Sequence, residues 1–212
     1  MSEMHVLLVH GMTGAGPWHW QSWLAGQLRD HDVHVHAPVL PDPDHPDLRR
    51  WLPVLRERLA AVPAEAELVV AAHSCGVALW LHHAATIESD GRRADRVLLV
   101  SPPDSEWNHP DARDITPYPI DATSLRRAAG ITRLVVGTGD TYLPMHRAHA
   151  LAEDLQVEMD VILDGGHLNT DAGYGPWPAI LRWTLYGTAP LHDRFDTDAY
   201  TAGRSQEQLR LV

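Results

Sequence analysis

The sequence predicts a three-layer α/β/α sandwich built on a mostly parallel sheet of about six strands. Three observations carry that expectation. Short apolar runs alternate with longer segments of helical period along most of the chain. Several runs end directly on glycine, proline or small polar residues, as strands do where they feed loops. The runs are rich in Val and Leu with little polar alternation, the pattern of strands buried on both faces.

In order, residues 5–9 form the first run, followed by the glycine loop His10-Gly11-Met12-Thr13-Gly14-Ala15-Gly16. Pro17 suits a helix start, and Trp20, Trp23, Leu24 and Leu28 then share one helical face. Residues 33–37 alternate as a second strand and stop at Pro38, and residues 40–46 make a proline-stiffened loop. Leu48, Trp51, Leu52, Leu55, Leu59 and Val62 recur with helical period, while Pro53 leaves either a kink or a later start. Residues 69–72 are a third strand, and a helix runs from about Val77 to Ile87, ended by Ser89-Asp90-Gly91. Residues 97–100 form a fourth strand, and 105–122 are polar and proline-rich without a period. A crossover helix over 122–129 leads to a fifth strand at 134–136, because parallel neighbours need such a connection. A helix over 144–155, a sixth strand over 157–163 and a last helix over 179–186 complete one domain, residues 1–186. Residues 187–212 read as a polar tail of unassigned role.

Composition narrows the class. A chain of 212 residues with 44% hydrophobic and 21% charged residues suits a single globular domain with a sizeable core. The net charge of −11 argues against nucleic acid and against anionic membrane surfaces as partners. The single cysteine allows no internal disulfide, and the first apolar run is too short for a signal peptide or a membrane span. The expected location is therefore the cytoplasm. The glycine loop lacks both the Gly-Lys-Ser/Thr ending and the dinucleotide spacing, which disfavours a nucleotide cofactor. No metal centre is expected either: His34 and His36 share a strand face, but no carboxylate or cysteine stands at ligand spacing beside them.

The chemistry gathers around His73-Ser74-Cys75-Gly76, where an apolar run ends on a serine and a helix follows at once. That is the strand–turn–helix setting of a nucleophile elbow, whose flanking positions must be small; here they are Ala72 and Gly76. Two further groups follow strand ends, Asp140 and His167, in the chain order serine, acid, histidine. A serine hydroxyl is a poor nucleophile until a base takes its proton. His167 is the candidate base, and Asp140 would orient it and stabilise the imidazolium. Backbone N–H groups of Met12 and Cys75 are the candidate oxyanion donors. Asp104, also at a strand end, is the alternative acid. Cys75 is an alternative nucleophile, although it stands one residue off the apex. His10 and His73 read as loop braces. Trp18, His19, Trp107, His109 and Tyr142 form either a substrate pocket or core edges.

These motifs resemble the α/β-hydrolases, and within them the small lidless serine hydrolases related to retinoblastoma-binding protein nine, the YdeN-like bacterial group. The matching blocks are His10-Gly11, Leu40-Pro41-Asp42-Pro43 before the Trp51 helix, and His73-Ser74-Cys75-Gly76. Gly139-Asp140-Thr141-Tyr142-Leu143-Pro144, Gly165-Gly166-His167-Leu168-Asn169 and Gly175-Pro176-Trp177-Pro178 match as well. Ala72 replaces the usual first glycine, and Met12 stands where a polar residue is common. The resemblance implies serine esterase chemistry without a cofactor, through an acyl-serine intermediate, on a small-molecule ester or acyl substrate. An acyltransferase or thioesterase, with an acyl carrier as partner, would use the same residues. A non-catalytic binding module on the same fold is the third reading.

Overall fold

A computed structural model of the chain describes residues 3–88, 91–187 and 190–191. Six strands form one sheet in the order β2-β1-β3-β4-β5-β6. They are β1 (Met4–Val9), β2 (His34–His36), β3 (Glu67–His73), β4 (Ala94–Val100), β5 (Ala129–Gly137) and β6 (Glu158–Ile162). Every neighbouring pair runs parallel. Six α-helices connect or flank them: α1 (Trp20–Arg29), α2 (Leu48–Ala60), α3 (Cys75–Ala85), α4 (Ala122–Ala128), α5 (Met145–Leu155) and α6 (Pro178–Tyr186).

Each face of the sheet buries its own apolar layer. Leu7, Val9, Val70, Ala72, Val97 and Leu99 point to one side, against Trp51, Leu55, Trp80 and Leu151 of α2, α3 and α5. Val6, Leu8, Val69, Ala71 and Leu98 point to the other, against Trp20, Leu24 and Leu28 of α1 and Trp183 of α6. Five tryptophans are among the largest fully buried side chains. Each such ring removes about 150–250 Å² from water, so these layers dominate the burial that holds helices to sheet. Among the described residues no helix is long and apolar enough to cross a membrane.

Helix starts follow local chemistry. The side chains of Asp47 and Asp121 accept from the N–H groups of Arg49 and Thr123, capping α2 and α4. Pro53 lies inside α2, which begins at Leu48, so the helix continues through it. β3, β4 and β5 are longer than their apolar runs, whereas β2 and β6 are shorter than the segments expected for them. Arg96 of β4 is held by Glu67 at 2.5 Å and by the Thr184 carbonyl, with its guanidinium 5.8 Å from the Trp183 ring. Arg133 of β5 reaches the buried Asp160 of β6 at 2.9 Å. Paired charges extend these strands beyond what hydropathy marks. The helix after the third strand ends at Ala85, and Ser89 and Asp90 lie outside the described residues, as does the tail from 192 onward.

Candidate active site

The carboxyl ends of β3, β5 and β6 bring Ser74, Asp140 and His167 together. Ser74 follows β3 directly, with φ 53° and ψ −124°. A left-handed backbone at a residue bearing a side chain costs about 1–3 kcal/mol, and here it turns the hydroxyl away from the strand. Close packing makes the small neighbours obligatory. A Cβ on Gly76 would lie 2.4 Å from the Val9 carbonyl oxygen, and one on Gly11 would lie 2.7 Å from Ser74 Cβ. Ala72 is fully buried beside Val9 in the sheet and fits without disturbing the turn.

Asp140 sits on the loop after β5, almost wholly buried. One of its carboxylate oxygens accepts from the Tyr142 N–H at 2.8 Å, and the other faces His167 Nδ1 at 2.8 Å. The opposite ring nitrogen, Nε2, is 3.0 Å from Ser74 Oγ. His167 is held in turn by its own backbone. The Gly166 N–H donates to the Thr138 carbonyl at 3.0 Å, and Gly165 packs so tightly on Gly137 that an added Cβ would come within 2.9 Å of its Cα.

The alternative candidates fall elsewhere. Asp104 is gripped by Arg147 through two contacts of 2.6 and 2.8 Å, and this hydrogen bonding holds its carboxyl below the usual range. Cys75 opens α3 with its side chain buried. Burial pushes its thiol up to about 11, only partly offset by hydrogen bonds from the Met12 N–H, the Ser74 hydroxyl and its own N–H. At neutral pH that sulfur is a thiol, and thiolate chemistry is closed to it. The loop that carries Met12 lies against the elbow: a Cβ added at Gly11 would be 2.7 Å from Ser74 Cβ and 3.3 Å from the Cys75 nitrogen. His10 braces two loops: its Nε2 accepts from the Leu40 N–H at 2.9 Å, and its Nδ1 donates to the Gly11 carbonyl at 2.8 Å.

A cleft of about 400 Å³ opens over Ser74. Its lining is mixed, aromatic and apolar at Trp107, Tyr142 and Met12 and polar at Asn169, Thr170 and Asp171. Tyr142 packs on the His167 ring at 4.5 Å, and Trp107 meets Tyr142 edge-on at 5.4 Å. His19 lines the cleft and caps α1, its Nδ1 accepting from the Gln21 N–H. Two expectations need correction. Trp18 does not line the cleft; it is 79% exposed on the helix approach. His109 stacks behind Trp107 at 5.0 Å and does not line it either. The polar lining residues Asn169, Thr170 and Asp171 were not foreseen, although they directly continue the Gly165–Asn169 motif. A separate cavity of about 530 Å³ lies beyond the 13–16 loop and does not reach Ser74.

A parallel sheet with a serine elbow after its third strand, covered by helices on both faces and with no lid evident among the described residues, defines a small α/β-hydrolase. The model of the serine hydrolase family matches residues 6–184, and the chain belongs to that family. It is YdeN-like. YdeN of Bacillus subtilis (strain 168) is 22% identical over 175 residues, covering 82% of this chain and 91% of YdeN. The crystal structure of that gene product superposes with a TM-score of 0.73 at 20% identity, over 86% of this chain and 97% of the other. A YdeN-like hydrolase from Pectobacterium atrosepticum gives 0.68 at 22% identity, over 87% and 90%. A pyrethroid hydrolase from Sphingobium faniae JZ-2 gives 0.60 at 14% identity, over 87% and 98%.

Proposed function

We propose that this hydrolase cleaves small carboxylic esters through an acyl-serine intermediate on Ser74. The observation that carries the reading is the unbroken relay from Asp140 through His167 to Ser74, with both contacts at hydrogen-bonding distance. Ser74 Oγ attacks the ester carbonyl while His167 Nε2 takes its proton. Asp140 holds the proton on Nδ1, so that Nε2 is the basic nitrogen, and stabilises the imidazolium. The N–H groups of Met12 and Cys75 receive the developing oxyanion at the start of α3, where the helix dipole adds to their effect. Imidazolium then protonates the departing alcohol. Water, deprotonated by the same ring, releases the acid from the serine.

The mixed lining of the cleft supports a small substrate with both apolar and polar groups. Trp107 and Tyr142 favour the first, and Asn169, Thr170 and Asp171 offer hydrogen bonds to the second. The test is labelling with a fluorophosphonate, followed by mass spectrometry of the adduct. A single adduct on Ser74, absent in Ser74→Ala together with ester turnover, is expected. Labelling that survives the substitution, or moves to Cys75, removes Ser74 from the mechanism. Adding competing alcohols or thiols and analysing the products separates hydrolysis from acyl transfer.

A further inference from the structure

We propose a divalent-metal site of the zinc class at the opposite end of the sheet, built from Glu3, His5 and His34 and independent of the ester chemistry. Along the sequence, His34 and His36 lack a carboxylate partner. The fold supplies one from the next strand. β2 is the edge strand and pairs with β1 so that His5 stands beside His34 and Leu7 beside His36. Side chains in register in a parallel pair share a face, which gathers the histidines around His5, with Glu3 just ahead of β1. One ligand atom each from Glu3, His5 and His34 lies within 4.8 Å of the others.

A second observation points to a ligand. His5 is buried, and its Nδ1 lies 2.9 Å from His36 Nε2. When Nδ1–H donates in that contact, Nε2 keeps its lone pair. This nitrogen is buried and makes no hydrogen bond, and the Glu3 carboxylate stands 3.8 Å away. A histidine whose far N–H is tied to a neighbour, leaving an in-plane lone pair turned toward a carboxylate, has the arrangement of a metal ligand with its supporting partner. His36 is then a positioning residue, acting through His5.

Geometry sets what must move. Tetrahedral zinc at about 2.0–2.1 Å from nitrogen or oxygen separates its ligand atoms by about 3.3 Å. The cluster therefore has to close slightly, and His34, now stacked on His5 at 4.6 Å, has to turn its ring. His34 and Glu3 are exposed and able to do so. The positive charges of Arg92 and Arg58 act on His5 and His36 and oppose a cation, so the Glu3 charge is essential. Imidazole with a single carboxylate selects zinc, nickel or copper over magnesium or calcium. Such an ion would pin the edge strand to β1, far from Ser74, as a stabilising site with an open fourth position.

The test uses tag-free full-length protein, stripped with chelator and titrated with Zn²⁺ against a chromophoric competitor. One saturable equivalent is expected, with a raised Tm and no matching effect of Mg²⁺. Glu3→Gln and His34→Gln, both at exposed positions, should each weaken zinc binding at least about tenfold while leaving metal-free unfolding unchanged. His36→Leu should weaken it about 10–100-fold, and His36→Gln, which keeps an acceptor for His5, should recover part of the loss. Absence of saturable zinc binding overturns the proposal. So does zinc binding unaffected by Glu3→Gln and His34→Gln, because the ligands would then lie among the other histidines.

Discussion

His73 Nε2 donates to the backbone carbonyl of His167 across 3.0 Å, so the residue before the serine holds the main chain of the histidine that faces it. The two rings also pack at 5.1 Å. Burial, with the nearby His19 and His167, keeps His73 well below its ordinary range and therefore neutral, the form with a single N–H to direct. Replacing it by Leu leaves the His167 carbonyl unpaired and lets the ring drift. Small misplacements at a reacting centre can cost about 10²-fold. We expect His73→Leu to lower kcat on a short-chain ester by up to that factor with little change in KM, and His73→Gln to restore part of it. A loss confined to KM would instead make His73 a substrate contact.

Asp140 and Asp104 both follow strand ends, but their partners differ. The Asp140 carboxylate meets His167, whereas Asp104 is committed to Arg147. Asp140→Asn should lower kcat by about 10⁴-fold, the loss seen when the same change reverses the histidine tautomer in a serine protease. Asp104→Asn should leave kcat near its starting value and loosen the 104–107 turn, measurable as a lower Tm. Reversed outcomes for the two substitutions would reassign the acid.

Acid should weaken the fold before it titrates any carboxylate fully. Burial, followed by His10 and His167, lowers His19 to about 4, and burial, followed by Arg56, lowers His83 to about 4. An unfolded histidine titrates near 6.5, so between about pH 6.5 and 4 the unfolded chain binds the extra protons. Stability therefore rises with pH through that window and is lost as pH falls, by about 3 kcal/mol per group at the lower end. Both ring nitrogens of His83 are buried without hydrogen bonds, and its ring packs on Trp80 at 5.2 Å. His83→Phe should keep that packing and remove its share of the slope. Urea unfolding from pH 7.5 to 4.5 measures it; an undiminished slope in the variant would place the acid sensitivity elsewhere.

The sheet was legible because its central strands are uninterrupted apolar runs, and Ser74, Asp140 and His167 because each stands in a turn or loop after a strand. Strand ends were less visible. Arg96 and Arg133 fall outside the apolar runs, and their pairing with Glu67 and Asp160 lets them continue the ladder. The cleft lining was half legible for another reason. Sequence position put Trp18 and His109 near the serine, but not which way each side chain turns. The Glu3–His5–His34 cluster could not be read from spacing, because strand pairing assembles it from residues about thirty positions apart.

The last prediction concerns access to Ser74. Enzymes that take large apolar substrates cover such clefts, and the room for a cover in this fold is the connection between β4 and β5. Here residues 101–121 carry one 3-10 turn, Pro110–Ala112, before α4 completes the crossover. That connection folds down rather than over. Tyr118 donates to the Pro103 carbonyl at 2.7 Å, Thr116 to the Trp107 carbonyl at 3.0 Å, and Ile115 is buried in the core. What reaches the cleft is Trp107, which rims it beside a Tyr142 that remains 39% exposed. With no segment of this connection left to open, contact with an oil–water interface has nothing to displace. Turnover should therefore rise smoothly with concentration of soluble short-chain esters, and fall as the acyl chain outgrows a cleft of about 400 Å³. Kinetics on a chain-length series carried across the solubility limit decides the matter. A jump in rate at that limit, or a preference for long chains, would mean that another part of the chain covers the site.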